Sequence, residues 1–297
     1  MMRKPLLLLF IASSTIFSLP EIQPMRPALA TLVETEKEFS KTSVVKGTRE
    51  AFLAYLGEDS IIFRPGPVAG RKWMEEHPAR PGILTWEPVF ADMAKSDDLG
   101  YTTGPWEFRK QSLMEQPVAY GHYITLWRKP RFGSWKVVLD VGIQHPAPLS
   151  KDWALTWPEE QFSGGKTLRK TDVRSEEAYL LKLDQEFSKQ IAKKGIERSY
   201  SEFLAEDPRL YRMEMFPMIG KSAVTNFLKE EKGVWQFLPD KAIVSGGCDL
   251  GYTYGSYKLV NTPGGSQEPG YYVRIWQKDK KGQWKLAVDV LNPEPSK

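Results

Sequence analysis

The stretch Tyr123-Ile124-Thr125-Leu126-Trp127-Arg128-Lys129, followed after a short break by Gly133-Ser134-Trp135-Lys136-Val137-Val138-Leu139-Asp140-Val141, occurs twice in this chain. It returns as Tyr272-Val273-Arg274-Ile275-Trp276-Gln277-Lys278 and Gly282-Gln283-Trp284-Lys285-Leu286-Ala287-Val288-Asp289-Val290. Aromatic and β-branched residues dominate both runs, so each reads as a strand, and the Gly-containing break reads as a hairpin turn. A long segment duplicated within one chain points to two copies of one domain.

Other matches extend the repeat in both directions. Asp98-Leu99-Gly100-Tyr101-Thr102 pairs with Asp249-Leu250-Gly251-Tyr252-Thr253, and Gly104 with Gly255. Glu38-Phe39-Ser40-Lys41 pairs with Glu186-Phe187-Ser188-Lys189 and sets the register of a first helix. On that helix Leu180, Leu183, Phe187 and Ile191 form an apolar stripe, with a weaker counterpart in Leu32, Thr35, Phe39 and Ser43. A second helix is expected near 49–56 and 198–205, matching Phe52-Leu53 to Phe203-Leu204. A short strand follows at 61–64 and 210–214, then a Pro/Gly loop marked by Pro67 and Gly70, or Pro217 and Gly220. A third helix comes next, capped by Ser222 in the second copy and stopped early by His77-Pro78 in the first. Long strands begin near Leu84 and Trp235. Each copy thus reads helix, helix, strand, helix and three or four antiparallel strands, an α+β domain.

The totals agree. The 297 residues, 41% hydrophobic and 26% charged, suffice for two globular domains. Residues 1–30 read as a secretory signal peptide: Arg3 and Lys4, an apolar run over 6–19, and Ala28-Leu29-Ala30 as a cleavage site. The apolar run is short for a membrane span, so no stable membrane insertion is expected after processing. The formal charge is +4, and removing the first thirty residues takes away Arg3, Lys4, Arg26 and Glu21 to leave +2. No basic aromatic stripe is present, which argues against a nucleic-acid partner. The expected compartment is periplasmic or extracellular, in a bacterium. The single cysteine, Cys248, excludes an intrachain disulfide and reads as an inert buried thiol in a strand. The expected domains are 31–146 and 175–297, joined by a linker over 147–174 in which Trp153 and Trp157 would dock on a domain surface.

The pattern Glu-x-x-Phe, Asp-Leu-Gly-Tyr-Thr-x-Gly, a Trp-ended strand, a Gly turn and Trp-Lys-Val-Val-Leu-Asp resembles the nuclear-transport-factor-2-like (NTF2-like) superfamily. Within it the likeness is to ketosteroid-isomerase-like and SnoaL-like domains. The resemblance implies two cone domains, each a curved antiparallel sheet packed on helices with a pocket at the open end. The superfamily hosts isomerases, dehydratases, cyclases and plain binding modules, so it implies no reaction, and no catalytic residue is carried over.

Candidate chemistry therefore comes from the residues. Asp140 and Asp289 occupy equivalent places on the last strand, and strict alternation sets them opposite its apolar face. The three histidines, His77, His122 and His145, all lie in the first copy. Asp140 with His122 and His145 is the candidate catalytic set there. Tyr101, Tyr123, Tyr252 and Tyr272, with Asp289, are candidate ligand-binding residues, although tyrosine is also an ordinary strand residue. Asp98 and Asp249 read as turn-initiating residues that bond their own backbone, and Glu38 and Glu186 as acids on a solvated helix face. The scattered histidines do not make a metal site, and no phosphate loop or nucleophile elbow is present, so no metal and no cofactor are expected. Three functions fit: a binder of a small apolar or amphipathic molecule, an acid–base enzyme acting on a small carbonyl substrate, or a non-catalytic interaction module. The two copies are expected to pair sheet against sheet as an intramolecular pseudo-dimer.

Overall fold

The computed structural model describes residues 24–158, 172–260 and 267–295. The first copy runs α1 (Pro27–Lys46), α2 (Thr48–Tyr55), β1 (Leu56–Phe63), β2 (Pro67–Ala69), α3 (Gly70–Glu76), β3 (Ile83–Trp86), β4 (Phe90–Met93), β5 (Leu99–Arg109), β6 (Ala119–Arg128) and β7 (Lys136–His145). The second runs α4 (Val173–Lys194), α5 (Ile196–Phe203), β8 (Leu204–Tyr211), β9 (Met218–Ile219), α6 (Lys221–Glu230), β10 (Val234–Val244), β11 (Leu250–Val260), β12 (Gln267–Lys278) and β13 (Trp284–Pro293). The sheets have the orders β2-β1-β7-β6-β5-β3, with β4 also on β5, and β10-β11-β12-β13-β8-β9. In each, the strand after the helix pair lies parallel to the last strand, β1 on β7 and β8 on β13. Two α+β cones therefore stand in tandem.

Strand register corrects part of the repeat. Leu56 and Leu204 open equivalent strands, facing Val137 and Leu286. Phe52 therefore corresponds to Tyr200, and Tyr55 to Phe203, in place of the Phe52–Phe203 match. Ring packing agrees: Phe39 meets Phe52 at 4.9 Å and Trp127 at 5.8 Å, while Phe187 meets Tyr200 at 5.0 Å and Trp276 at 5.8 Å. The same register makes Arg64 and Arg212 equivalent, each directly after its strand. Gly104 and Gly255 recur because the neighbouring strand comes too close for a side chain. A Cβ would lie 1.8 Å from the Glu87 carbonyl oxygen in one copy and 2.2 Å from that of Leu238 in the other.

Several boundaries also differ from expectation. Helix α1 begins at Pro27, with Leu29 fully buried, so the first cone starts inside the segment assigned to the signal peptide. Helix α4 begins at Val173, where the Asp172 side chain accepts from the Ser175 N–H, so the second cone starts inside the expected linker. Helix α6 is preceded by Gly220, and Ser222 does not cap it. Within the linker, Thr156 bridges to Phe90 at the edge of the first sheet, and Trp157 packs on that cone's core. Cys248 is buried in the turn before β11 with φ 53°, not in a strand.

The convex faces of the two sheets pack together. Leu139, Val141, Ile143, Ile124 and Tyr101 meet Val288, Val290, Val273, Ile275 and Tyr252 in one buried cluster, the expected pseudo-dimer. Its pseudo-two-fold symmetry is explicit in the hydrogen bonds. The Lys95 N–H donates to Asp249 Oδ2 at 3.1 Å, and the equivalent Gly246 N–H donates to Asp98 Oδ2 at 2.8 Å. Asp98 and Asp249 thus hold the partner copy's turn, a role beyond the local turn expected for them.

Candidate functional site

A β-bulge decides where Asp140 points. Trp127 pairs with Val137 and Leu126 with Leu139, so Val138 is the extra residue, and the alternation of β7 reverses there. Val137 faces its own cone and packs with Trp127, whereas Leu139 and Val141 face the other sheet. Asp140 consequently points into the first cone. The same irregularity at Ala287 turns Asp289 into the second. Strict alternation had placed Trp135, Val137, Leu139 and Val141 on one face; the bulge divides them between two cores.

The first cone encloses a cavity of about 430 Å³, within the usual range of small-molecule sites. Phe39, Phe52, Phe63, Trp86, Trp106 and Phe108 form its apolar wall. Tyr123, Thr125, Asp140, Arg64 and Gln144 supply polar groups, and Met213 reaches its edge from the second copy. The Thr125 hydroxyl donates to Asp140 Oδ2 at 2.8 Å. Burial pushes the Asp140 carboxyl up, against the opposing influence of Arg64 and the Thr125 hydrogen bond. Burial also raises Tyr123 well above the phenol range. Its hydroxyl lies among Glu36, Thr102 and Asp140 and makes no hydrogen bond of good geometry.

Behind this wall sits Glu36, fully buried on α1. It accepts from Trp86 Nε1 at 2.6 Å, Trp127 Nε1 at 2.8 Å and the Thr102 hydroxyl. Burial outweighs these donors and pushes its carboxyl up to about 7. Glu38, the acid expected on a solvated face, is exposed and pairs with Lys41.

The second cone has the same plan with its centre filled. Asp184 and Asp289 are the counterparts of Glu36 and Asp140, and Arg274 stands at the position of Thr125. The Arg274 guanidinium bonds both carboxylates: Nη1 to Asp184 Oδ1 at 2.5 Å and Nε to Asp289 Oδ2 at 3.0 Å. Tyr272 OH donates to Asp184 and Tyr200 OH to Asp289, each at 2.9 Å, and Arg212 adds a second ion pair to Asp289 at 2.7 Å. Burial would raise Asp289, but Arg212 and Arg274 hold it below the ordinary carboxylate range. Phe237 lies 4.2 Å from the Arg274 guanidinium carbon and stacks on Trp235 at 5.9 Å.

The expected site residues separate accordingly. Tyr123 and Asp140 line the open cavity, while Tyr272 and Asp289 belong to the filled one. Tyr101 and Tyr252 face outward into the packing between the sheets, so neither contacts the cavity. His122 and His145 do not converge with Asp140: strand alternation puts them on the convex face, against Trp153, Tyr211 and Phe216. They bond each other, His122 Nδ1 to His145 Nε2 at 2.8 Å, and His145 Nδ1 donates to the Pro146 carbonyl at 2.7 Å. Burial and the neighbouring His145 lower His122 to about 3. His77 is exposed and stacks on Trp73 at 4.0 Å. Among the described residues no group of three or more His, Cys, Asp or Glu could hold a metal ion, and no helix is long and apolar enough to cross a membrane.

Sequence reasoning missed Glu36, Asp184, Arg64, Arg212 and Arg274. The signal was present for two of them. Glu36 falls four residues after Leu32 and three before Phe39, and Asp184 falls four after Leu180 and three before Phe187, so each acid interrupts an inward-facing stripe.

Each half of this chain closes a curved sheet over helices, an NTF2-like fold, and the first half keeps an interior pocket. No family model and no curated protein sequence matches the chain. Similar solved structures each span about one copy. An NTF2-like protein of unknown function from Pseudomonas putida is 13% identical with a TM-score of 0.35, covering 41% of this chain and 89% of that one. An NTF2-like protein with a cystatin-like fold from Novosphingobium aromaticivorans is 13% identical with a TM-score of 0.35, covering 42% and 84%. A Mycobacterium tuberculosis protein in complex with estradiol-17β-hemisuccinate is 12% identical with a TM-score of 0.31, covering 37% and 91%. At these identities the likeness concerns the fold alone.

Proposed function

We propose that this protein binds a small, largely apolar molecule with one polar end in the cavity of the first copy, and that the second copy is a closed scaffold. One observation carries this reading: the cavity is open at Thr125, while the same volume in the second copy is plugged by Arg274 and its two carboxylates. Arg274 and its carboxylates occupy the equivalent place in the second cone, so the fold tolerates a side chain there. The first cone keeps that place open, aromatic along the walls and polar at Asp140, Thr125 and Tyr123. Export, supported by the apolar run over 6–19 after Arg3 and Lys4, belongs to this proposal and would set the binder outside the cytoplasm.

A thermal-shift screen tests it, because a ligand present at 100 times its Kd stabilises by about 2.7 kcal/mol. Thr125→Arg, which copies the plug, should keep the fold and lose every shift. Equal shifts in wild type and Thr125→Arg would refute the assignment.

A second reading is proton transfer next to a carbonyl, with Asp140 as base and Tyr123 as hydrogen-bond donor. The raised Asp140 carboxyl in a cavity that Tyr123 also lines favours it. Deuterium exchange at the α-carbon of 2-tetralone, followed by NMR, should be accelerated by wild type and not by Asp140→Asn. No acceleration by wild type counts against this reading and leaves binding intact.

A further inference from the structure

We propose that the ligand of the first-copy cavity carries a cationic head, an amine or guanidinium, seated against Asp140 where the second copy seats the guanidinium of its own Arg274. This rests on the reading that the cavity is a ligand site, and it specifies the chemistry of what enters.

The second copy shows what this cone does with a cation. The Arg274 side chain enters between Asp184 and Asp289, and its guanidinium carbon lies 4.7 Å from the Phe187 ring, 4.2 Å from Phe237 and 4.4 Å from Tyr272. Cations over aromatic faces at such distances are attracted by the ring quadrupole. The carboxylates and the rings around the guanidinium have counterparts in the first copy. Glu36 and Asp140 stand for the two carboxylates, and Phe39 and Tyr123 for Phe187 and Tyr272. Trp86 stands for Phe237: each lies across its sheet pair, from Trp106 in one case and Tyr257 in the other. The guanidinium is missing, because Thr125 ends at a hydroxyl, and so is the Tyr200 hydroxyl on the aspartate, because Phe52 stands at that place.

Charge balance points the same way. The second cone sets Asp184 and Asp289 against Arg274 and Arg212, two acids and two bases. The first sets Asp140, and Glu36 with its carboxyl pushed up to about 7, against Arg64 alone. Arg64 donates to its neighbour's carbonyl, Phe63 O, at 2.7 Å and lies over Trp73 at 5.3 Å. Arg212 reaches Asp289 at 2.7 Å, whereas among the described residues no base comes within ion-pair distance of Asp140. A bound ammonium would supply the missing charge. It would contact Asp140 directly, with Glu36 adding its field from behind the wall. Tyr123, whose counterpart Tyr272 donates to Asp184, puts its ring on the cavity lining and its hydroxyl beside Glu36 and Thr102.

Isothermal titration with three probes of one shape and different charge tests the proposal: 1-naphthylmethylammonium, 1-naphthylmethanol and 1-naphthaleneacetate, on the full chain. The ammonium should bind at least tenfold more tightly than the other two, and Asp140→Asn should abolish that margin while the alcohol still binds. Thr125→Arg should bind none. If the alcohol matches the ammonium and Thr125→Arg abolishes both, the cationic head is wrong and the ligand site stands. If the acetate binds tightest, the proposal is overturned in favour of an anion on Arg64. If no probe binds, or Thr125→Arg binds all three as wild type does, the ligand site falls and the cation with it. Should Asp140→Asn not fold, the charge series on wild type and Thr125→Arg decides.

Discussion

Thr125 and Arg274 hold the same place in their sheets, each directly across from the aspartate of the last strand, Asp140 in one copy and Asp289 in the other. The hydroxyl leaves a cavity beside its aspartate; the guanidinium fills one. Two consequences follow for stability, because the same buried carboxylates are compensated in the second cone and undercompensated in the first.

Removing the plug should be damaging. Arg274→Met leaves Asp184 and Asp289 buried with one base between them, and breaking a buried pair in this way costs about 3–5 kcal/mol. Urea unfolding should show that loss. Adding Asp184→Asn and Asp289→Asn to Arg274→Met should recover most of it, since the uncompensated charge is then gone.

Glu36 should make the first copy more stable in mild acid. Its carboxyl is pushed up to about 7 in the folded chain and titrates near 4.5, the ordinary glutamate value, when unfolded. The folded state therefore holds the proton more tightly. This contribution is complete below about 4.5 and is lost as the pH rises through 7, in total about 3 kcal/mol. Wild type and Glu36→Gln, compared by urea unfolding at pH 5 and pH 8, should differ in slope by that order. Parallel pH profiles would contradict the assignment.

His122 should act in the opposite sense. It titrates at about 3 when folded and at 6.5 when unfolded, so the unfolded chain takes up the proton first. Its stabilisation is present above about 6.5 and is lost as the pH falls, by about 1.4 kcal/mol per unit, until the folded group titrates. His122→Asn keeps a donor toward His145 and cannot titrate. Between pH 6 and pH 4 it should lose stability less steeply than wild type.

The reciprocal Asp98 and Asp249 contacts should hold the copies together. Asp98→Ala and Asp249→Ala should each cost about 1 kcal/mol for the lost hydrogen bond. Small-angle scattering should show a compact wild-type particle. The double variant should remain compact through the apolar cluster between the sheets, but unfold at lower urea.

If export is correct, the mature amino terminus should lie before Pro27. Leu29 is fully buried, and Arg26 pairs with Asp97 at 2.6 Å, so a cut after Ala30 would remove core and break that contact. Mass spectrometry of secreted protein checks this. A terminus at Thr31 on a stable, folded protein would show that the first turn of α1 is dispensable.

The sequence alone determined the duplication, the order of elements and the α+β class, because repeated Gly, Trp and Asp positions mark turns and strand ends that depend on local backbone geometry. Thr125 and Arg274 were visible as a mismatch in the very stretch that defines the repeat. What that mismatch means was settled only in three dimensions. Period-two counting put Leu139 and Val137 on one face, and a single bulged residue, Val138, turned them to different cores and aimed Asp140 inward. The grouping of His122 and His145 with Asp140 failed for a related reason. Closeness along adjacent strands does not say which side of a sheet a residue takes, and a one-residue step separates Tyr123 in the cavity from His122 at the packing between copies. A bulge is a property of how two strands pair. The side of the sheet that carries a pocket depends on where the helices close over it, and both are decided by contacts between residues far apart in the chain.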